Sequence, residues 1–211
     1  MSTDATELPD LKRRDLLVKA TATFGGLAIC GAAVPFLASL RPSARATANA
    51  APVDFDISQL APGALATVQW RGRPIWLLKR TDEQLRTLAK VTTELSDPQS
   101  KVPQQPADMN LHLQDGVRAV DAHLLVLCGI CTHLGCIPGY YPDAGSLGAQ
   151  WFGGFYCPCH GSKYDLSGRV FSGSPAPLNL PVPPYYMASA NVLRIGETQN
   201  GGDQNWQPSI W

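Results

Sequence analysis

Hydrophobic residues are distributed along this chain in two different ways. From Ala20 to Leu40 no charged residue occurs, and a helix over that stretch, at about 1.5 Å per residue, spans roughly 31 Å, close to the thickness of a bilayer's hydrocarbon. Residues 20–40 are therefore predicted to cross a membrane once, although the stretch is rich in Ala, Gly and Thr and contains Pro35. Beyond residue 52 the apolar positions fall into short runs. Leu65 to Trp70 alternates, Arg71-Gly72-Arg73-Pro74 marks a turn, and Ile75 to Leu78 is apolar, which together predict a hairpin. Thr81-Asp-Glu-Gln84 has capping-box spacing and opens a short helix through about Leu88. Ala122 to Leu127 and Arg169 to Phe171 read as strands, with Asp165 to Gly168 as a turn. Tyr185 to Ile195 reads as a second hairpin, broken near Asn191.

This is a mainly β pattern of many short antiparallel strands. It predicts a β-sandwich base domain from residues 53–127 and 180–195, with a small subdomain, residues 128–179, inserted between its strands. Ser96 to Met109, with three prolines, is an irregular loop. Residues 41–52 carry small side chains and no hydrophobic pattern, as a linker does, and fully stretched they reach about 40 Å. Residues 1–19 form a polar, basic N-terminal segment whose first ten residues read as disordered. Residues 196–211 are polar except for Trp206, Ile210 and Trp211, and read as a frayed tail or as an apolar-ended strap onto a partner.

Charge adds an exclusion. The 211 residues hold 17 Lys+Arg against 17 Asp+Glu, so no basic excess points to nucleic acid. The six cysteines are few for a disulfide scaffold of this length, and four of them crowd between residues 131 and 159. Such clustering marks a metal site.

That stretch begins Cys131-Thr132-His133-Leu134-Gly135-Cys136 and ends Cys157-Pro158-Cys159-His160-Gly161-Ser162-Lys163-Tyr164. Each piece offers one cysteine and one histidine at ligand spacing, with a further cysteine alongside. Thiolates paired with imidazoles suit zinc or an iron–sulfur cluster. Four Cys and two His exceed what one tetrahedral zinc needs, whereas a [2Fe-2S] cluster with two cysteines on one iron and two histidines on the other uses Cys131, His133, Cys157 and His160. A zinc-ribbon module would use the same four ligands without redox chemistry and without colour. With two neutral imidazoles in place of two thiolates an oxidised cluster is neutral rather than dianionic, so it accepts an electron more readily, at roughly −150 to +300 mV.

The two motifs resemble those of Rieske proteins, in the disulfide-bearing branch found in quinol–cytochrome c reductases. The likeness to that family's membrane-anchored subunit extends through Ser96-Asp97-Pro98 and Pro175-Ala176-Pro177-Leu178-Asn179-Leu180 and covers nearly the whole chain. The resemblance implies one [2Fe-2S] cluster, a Cys136 to Cys159 disulfide, and hydroxyls of Ser162 and Tyr164 bonded to a bridging sulfide and to the Cys131 thiolate. It implies that Gly173 to Pro177 is a stiff third loop over the cluster, and that Leu134, His160 and Pro175 meet cytochrome b at its quinol pocket. His133 and His160 would then exchange a proton along with the electron taken from ubiquinol, and the head would swing on its linker to a c-type cytochrome within a dimeric complex. Two departures stand out: Ser174 replaces a glycine common in the family, and the interval from Ile137 to Tyr156 is longer than in compact members. The small Rieske subunit of a periplasmic oxidase, such as an arsenite oxidase, can share the export signal and the disulfide, but the long match through Ser96-Asp97-Pro98 and Pro175 to Leu180 favours the quinol reductase, whereas a soluble Rieske ferredoxin needs neither an anchor nor Cys136 and Cys159. Copurification with a b-type cytochrome separates the first two.

Ahead of the apolar stretch, Lys12-Arg13-Arg14-Asp15-Leu16-Leu17 resembles a twin-arginine export signal. Lys12, Arg13, Arg14 and Lys19 precede the predicted span while Arg41 and Arg45 follow it, which favours a cytoplasmic N-terminus and a periplasmic head on a bacterial inner membrane. A cleaved signal ending at Ala48-Asn49-Ala50 is the alternative, but the apolar run is longer than a secretory core of about 7 to 15 residues. Cys30 and Cys128 have no place in the motif and read as structural thiols. His112 and His123 read as a loop and a strand residue without redox role.

Overall fold

The computed structural model describes residues 10–113, 115–202 and 206–208. It divides after Thr47 into an N-terminal segment and a compact head. The first nine residues, expected to be disordered, lie outside the described residues.

Helix α1 runs Leu11–Ser39 and so takes in the paired arginines as well as the apolar stretch. Asp10 caps it, its carboxylate accepting from the N–H groups of Lys12 and Arg13, which satisfies donors the helix start leaves over. The helix is long and apolar enough to cross a membrane. Within the expected linker, Ala44–Ala50 forms a seven-residue helix, α2. Alternating alanines favour helix, and Ser43 caps the turn by accepting from Ala46 N–H.

The head opens with strand β1, Val53–Asp56, followed by β2, Leu65–Trp70, and β3, Arg73–Lys79. The β2–β3 hairpin turns on Arg71 and Gly72, both at positive φ (52° and 71°), the pairing of conformations that matches the twist of a two-residue hairpin. Helix α3, Asp82–Lys90, starts on the anticipated box: Thr81 Oγ1 accepts from Gln84 N–H while the Gln84 side chain accepts from Thr81 N–H. Strand β4, Leu124–Cys128, is buried along its length and pairs with β3. It begins later than the sequence suggested, because Ala122 and His123 form a turn closed by the Leu124 N–H to Asp121 carbonyl bond.

Three short strands follow: β5, Gly139–Tyr141; β6, Gly154–Tyr156; and β7, Lys163–Asp165. Strands β8, Tyr185–Met187, and β9, Val192–Ile195, complete the head. Among the described residues all strand pairing is antiparallel, in three three-stranded sheets ordered β1-β9-β8, β2-β3-β4 and β5-β6-β7. Residues 169–171 do not form the expected strand. They make isolated bridges instead, Val170 to Tyr164 and Phe171 to Leu95.

The first two sheets share one core, in which Ile75, Leu77, Leu78, Leu125 and Leu127 meet Tyr185, Leu193 and Ile195. The third sheet is inserted between β4 and β8 in the chain and joins that core through Phe155, which stacks on Trp76 with ring centroids 4.8 Å apart. Gly129 is needed here, since a Cβ on it would run into the Trp76 ring. A second apolar cluster fastens the long β5–β6 loop: Trp151 packs with Val91, Leu95 and Phe171, and its indole N–H donates to the Tyr141 carbonyl at 3.1 Å. The described part of the C-terminal segment is strapped to the head rather than frayed. Thr198 Oγ1 donates to Asp108 at 2.6 Å, Arg71 donates to the Trp206 carbonyl, and Trp206 packs against the core; Ile210 and Trp211 lie outside the described residues. On the first sheet Arg194 of β9 grips Asp54 of β1 through two bonds of 2.6 and 2.7 Å.

Candidate metal centre

Two loops carry the cysteine and histidine motifs, and they share one backbone form. In the first, Cys131 N–H donates to the Cys136 carbonyl at 2.7 Å and Gly135 N–H returns to the Cys131 carbonyl at 3.0 Å. In the second, Cys157 N–H donates to Ser162 at 2.8 Å and Gly161 N–H returns to Cys157 at 2.9 Å. The glycines sit at φ 82° and 81°, a left-handed conformation that side chains disfavour. The first loop leaves β4, the second lies in the β6–β7 connection, and the Cys136–Cys159 disulfide links them across 23 residues of sequence.

Within this frame Cys131 and Cys157 are buried. Burial is the main force raising the Cys157 thiol above its ordinary pKa and the neighbouring Cys131 sulfur adds to it, while the N–H groups of Cys159 and His160 donate to the sulfur and oppose the rise. The Cys157 sulfur lies within 4.8 Å of both disulfide sulfurs, but those two are bonded to each other and have no thiolate to offer. The His133 and His160 rings meet edge to face with centroids 4.7 Å apart. His160 is exposed and His133 half-buried, and Leu134 between the loops' tips is 71% exposed.

The surroundings supply hydroxyls. Tyr164 Oη of β7 lies 3.2 Å from Cys131 Sγ and accepts from Thr132 N–H at 3.2 Å. Burial is the chief cause, and the Cys131 contact a further one, that holds the Tyr164 hydroxyl well above the ordinary phenol pKa, so it keeps its proton to donate. Thr132 Oγ1 donates to the Leu178 carbonyl at 2.6 Å, and Ser162 Oγ accepts from Ala176 N–H at 3.0 Å. Ser174 Oγ accepts from Lys163 N–H at 3.2 Å. Residues 174–178 are thereby stitched to both loops, with Pro175 exposed and Ala176 buried.

The donor set fits an iron–sulfur cluster of mixed nitrogen and sulfur ligation. The same pair of loops carries two buried, adjacent thiols and two clustered imidazoles, and His133 Nδ1 is buried without a hydrogen-bond partner among the described residues, a state that costs free energy unless the nitrogen is engaged. Cys131, His133, Cys157 and His160 could hold the metal, and the Tyr164 hydroxyl stands where it reaches the Cys131 sulfur. The remaining sequence candidates fall elsewhere. Cys128 lies in β4, where burial pushes its thiol up to about 12, and Cys30 is in α1. His123 Nδ1 meets the Arg80 carbonyl at 3.1 Å, and His112 sits in the loop before β4. Thr132 was not anticipated from sequence, nor were the two glycines, although the shared Cys-x-x-x-Gly spacing of the loops points to the latter.

Comparison with known proteins gives one consistent result. A family model described as the Rieske [2Fe-2S] domain matches residues 51–184, and one described as the ubiquinol–cytochrome c reductase Fe-S subunit TAT signal matches residues 3–43. The chain is 48% identical over 187 residues to the ubiquinol–cytochrome c reductase iron–sulfur subunit of Allochromatium vinosum, covering 88% of each. It is 39% identical over 193 residues to that of Blastochloris viridis, covering 91% of this chain and 97% of the relative. Among solved structures, a chain of a hyperthermophilic respiratory Complex III matches at 26% identity and TM-score 0.44, over 85% of this chain and 98% of that one.

Proposed function

This chain belongs to the family of Rieske iron–sulfur subunits of ubiquinol–cytochrome c reductase, and from that premise we propose that its head takes one electron and one proton from ubiquinol and delivers the electron to a c-type cytochrome. Cys131 and Cys157 through sulfur and His133 and His160 through nitrogen would hold a [2Fe-2S] cluster. When bound, the cluster supplies a high-potential one-electron acceptor. His160, exposed at the tip, accepts a hydrogen bond from the quinol hydroxyl and holds the proton that leaves with the electron. An imidazole beside a more positive, oxidised centre gives up its proton more easily, so electron and proton uptake are coupled. Tyr164 and Ser162 donate to sulfur and favour the reduced, more negative state. Leu134 and Pro175 give the tip the apolar surface that meets cytochrome b and keeps water from the reacting hydroxyl.

Helix α1 anchors the subunit with its N-terminus cytoplasmic and its head periplasmic, in a dimeric complex on the inner membrane. Four basic residues before the span support that orientation. The single observation that carries the reading is the edge-to-face pair of histidine rings at the exposed tip, backed by two buried cysteines. The test is a redox titration of the full chain in membranes, followed by electron paramagnetic resonance across pH. A potential that falls as pH rises through histidine deprotonation is expected; a potential flat from pH 6 to 10 would remove the proton from the account.

A further inference from the structure

Behind the loops the head buries more positive charge than negative. Arg80, Arg118 and Arg169 are each 1% exposed or less, as is Asp165. Among the described residues Arg169 alone of the three pairs with a carboxylate, its Nε and Nη2 reaching Asp165 Oδ2 at 2.8 and 2.7 Å. The other two are spent on uncharged acceptors. Arg80 donates to the carbonyls of Val117, Ala122 and Leu166 and to the Ser167 hydroxyl. Arg118 donates to the carbonyls of Ser167 and Leu180. Arg80 Nη2 and Arg118 Nε have no hydrogen-bond partner among the described residues. Asp97 and Asp121 act on these cations from farther out, but Asp97 is half-buried and Asp121 exposed, so water screens them. Guanidinium stays protonated even when buried. Among the described residues three cations thus face one buried carboxylate.

Their position ties them to the metal centre. All four side chains converge on the turn that closes β7: Asp165 ends the strand, Arg80 and Arg118 bind Leu166 and Ser167, and Arg169 follows Gly168. One residue earlier on the same strand is Tyr164, whose hydroxyl touches Cys131 Sγ. Neutral donors could satisfy these carbonyls without the desolvation cost that a buried charge carries. What a neutral donor could not supply is a field.

We propose that Arg80, Arg118 and Arg169 form an electrostatic tuning element that raises the reduction potential of the cluster, with Asp165 as its counterweight. An added electron is stabilised by uncompensated positive charge in a medium of low dielectric, and less so when a carboxylate stands beside that charge. These are positioning residues acting on the cluster from behind, and the proposal rests on the ligand assignment made above.

The test uses the full chain, loaded with its cluster in membranes, and compares Asp165→Asn with Arg118→Met by resonance-monitored redox titration at pH 6. Asp165→Asn is expected to raise the potential and Arg118→Met to lower it. Each change should be about threefold in the reduction equilibrium, roughly 30 mV at 59 mV per tenfold for one electron. Opposite signs are the signature, because loosened packing alone would move both variants the same way. Shifts of one sign, or no shift in either variant, overturn the proposal. Should Arg118→Met not assemble, the near-isosteric Asp165→Asn decides by itself, and absence of a rise overturns it. An unchanged resonance spectrum in these variants keeps the ligand assignment intact whatever the potentials do; that assignment fails separately, if His133→Ala retains the wild-type spectrum.

Discussion

The two ligand loops are the same piece of backbone put to different uses. Each closes a cysteine N–H onto the carbonyl five residues on and turns back through a glycine near φ 80°. Yet the first places its histidine two residues after the cysteine and the second three, and the sixth position is Cys136 in one and Ser162 in the other. The first loop is held from behind by Tyr164, which meets Cys131 Sγ and accepts from Thr132 N–H, while the second projects Pro158, Cys159 and His160 into solvent. A common frame fixes the backbone around each thiol, and the side chains between decide what each loop exposes, Leu134 on the first and His160 on the second.

If the frames are equivalent, breaking either should be equally severe. His133→Ala and Cys157→Ser are each expected to abolish the cluster, read as loss of bound iron and of visible absorbance; a stable, coloured protein from either would break the symmetry. Severing the link between the loops comes next. Cys136→Ser combined with Cys159→Ser opens a closure of 23 residues and should cost on the order of 3 kcal/mol in thermal or denaturant unfolding. It should also speed loss of the cluster. Gly135→Ala and Gly161→Ala then compare the frames directly. There is room for the methyl at both, with nothing nearby at Gly135 and Tyr156 Oη 3.8 Å away at Gly161, so only backbone strain remains, about 1 to 2 kcal/mol in each loop. Unequal melting temperatures would show that one loop carries a constraint the other lacks. Last, Tyr164→Phe removes a hydroxyl from the first loop's sulfur, and a fall in potential worth about 1 kcal/mol is expected by titration. Ser162→Ala should do the same from the second loop.

Much of this was readable in advance where the chemistry is local. The Rieske motifs with their disulfide pair, the β2–β3 hairpin and the Thr81 box all declare themselves within a few residues. What escaped depends on partners distant in sequence. Strand β1 has only four residues and is a strand because β9 pairs with it 140 residues later. Strands β5 to β7 have three residues each, with glycine and aromatics where alternation would be sought. Residues 169–171 look like a strand by composition, but the Asp165 carboxylate captures Arg169 N–H and the side chain of Asn179 captures Val170 N–H, which limits their pairing to single bridges. Arg80, Arg118 and Arg169 look like surface residues in sequence. Only the closure of α3, the 117–122 segment and the β7 turn around them makes them interior.

In chain order the cluster-binding unit looks detachable, a block that could be cut out and set on another scaffold. The aromatic stack on Trp76 and the pocket that Val91 and Leu95 make for Trp151 argue otherwise. A transplant of residues 128–179 alone would leave Phe155, Trp151 and Phe171 wet, so any designer moving this redox unit must carry part of the host sheet and the end of α3 along with it.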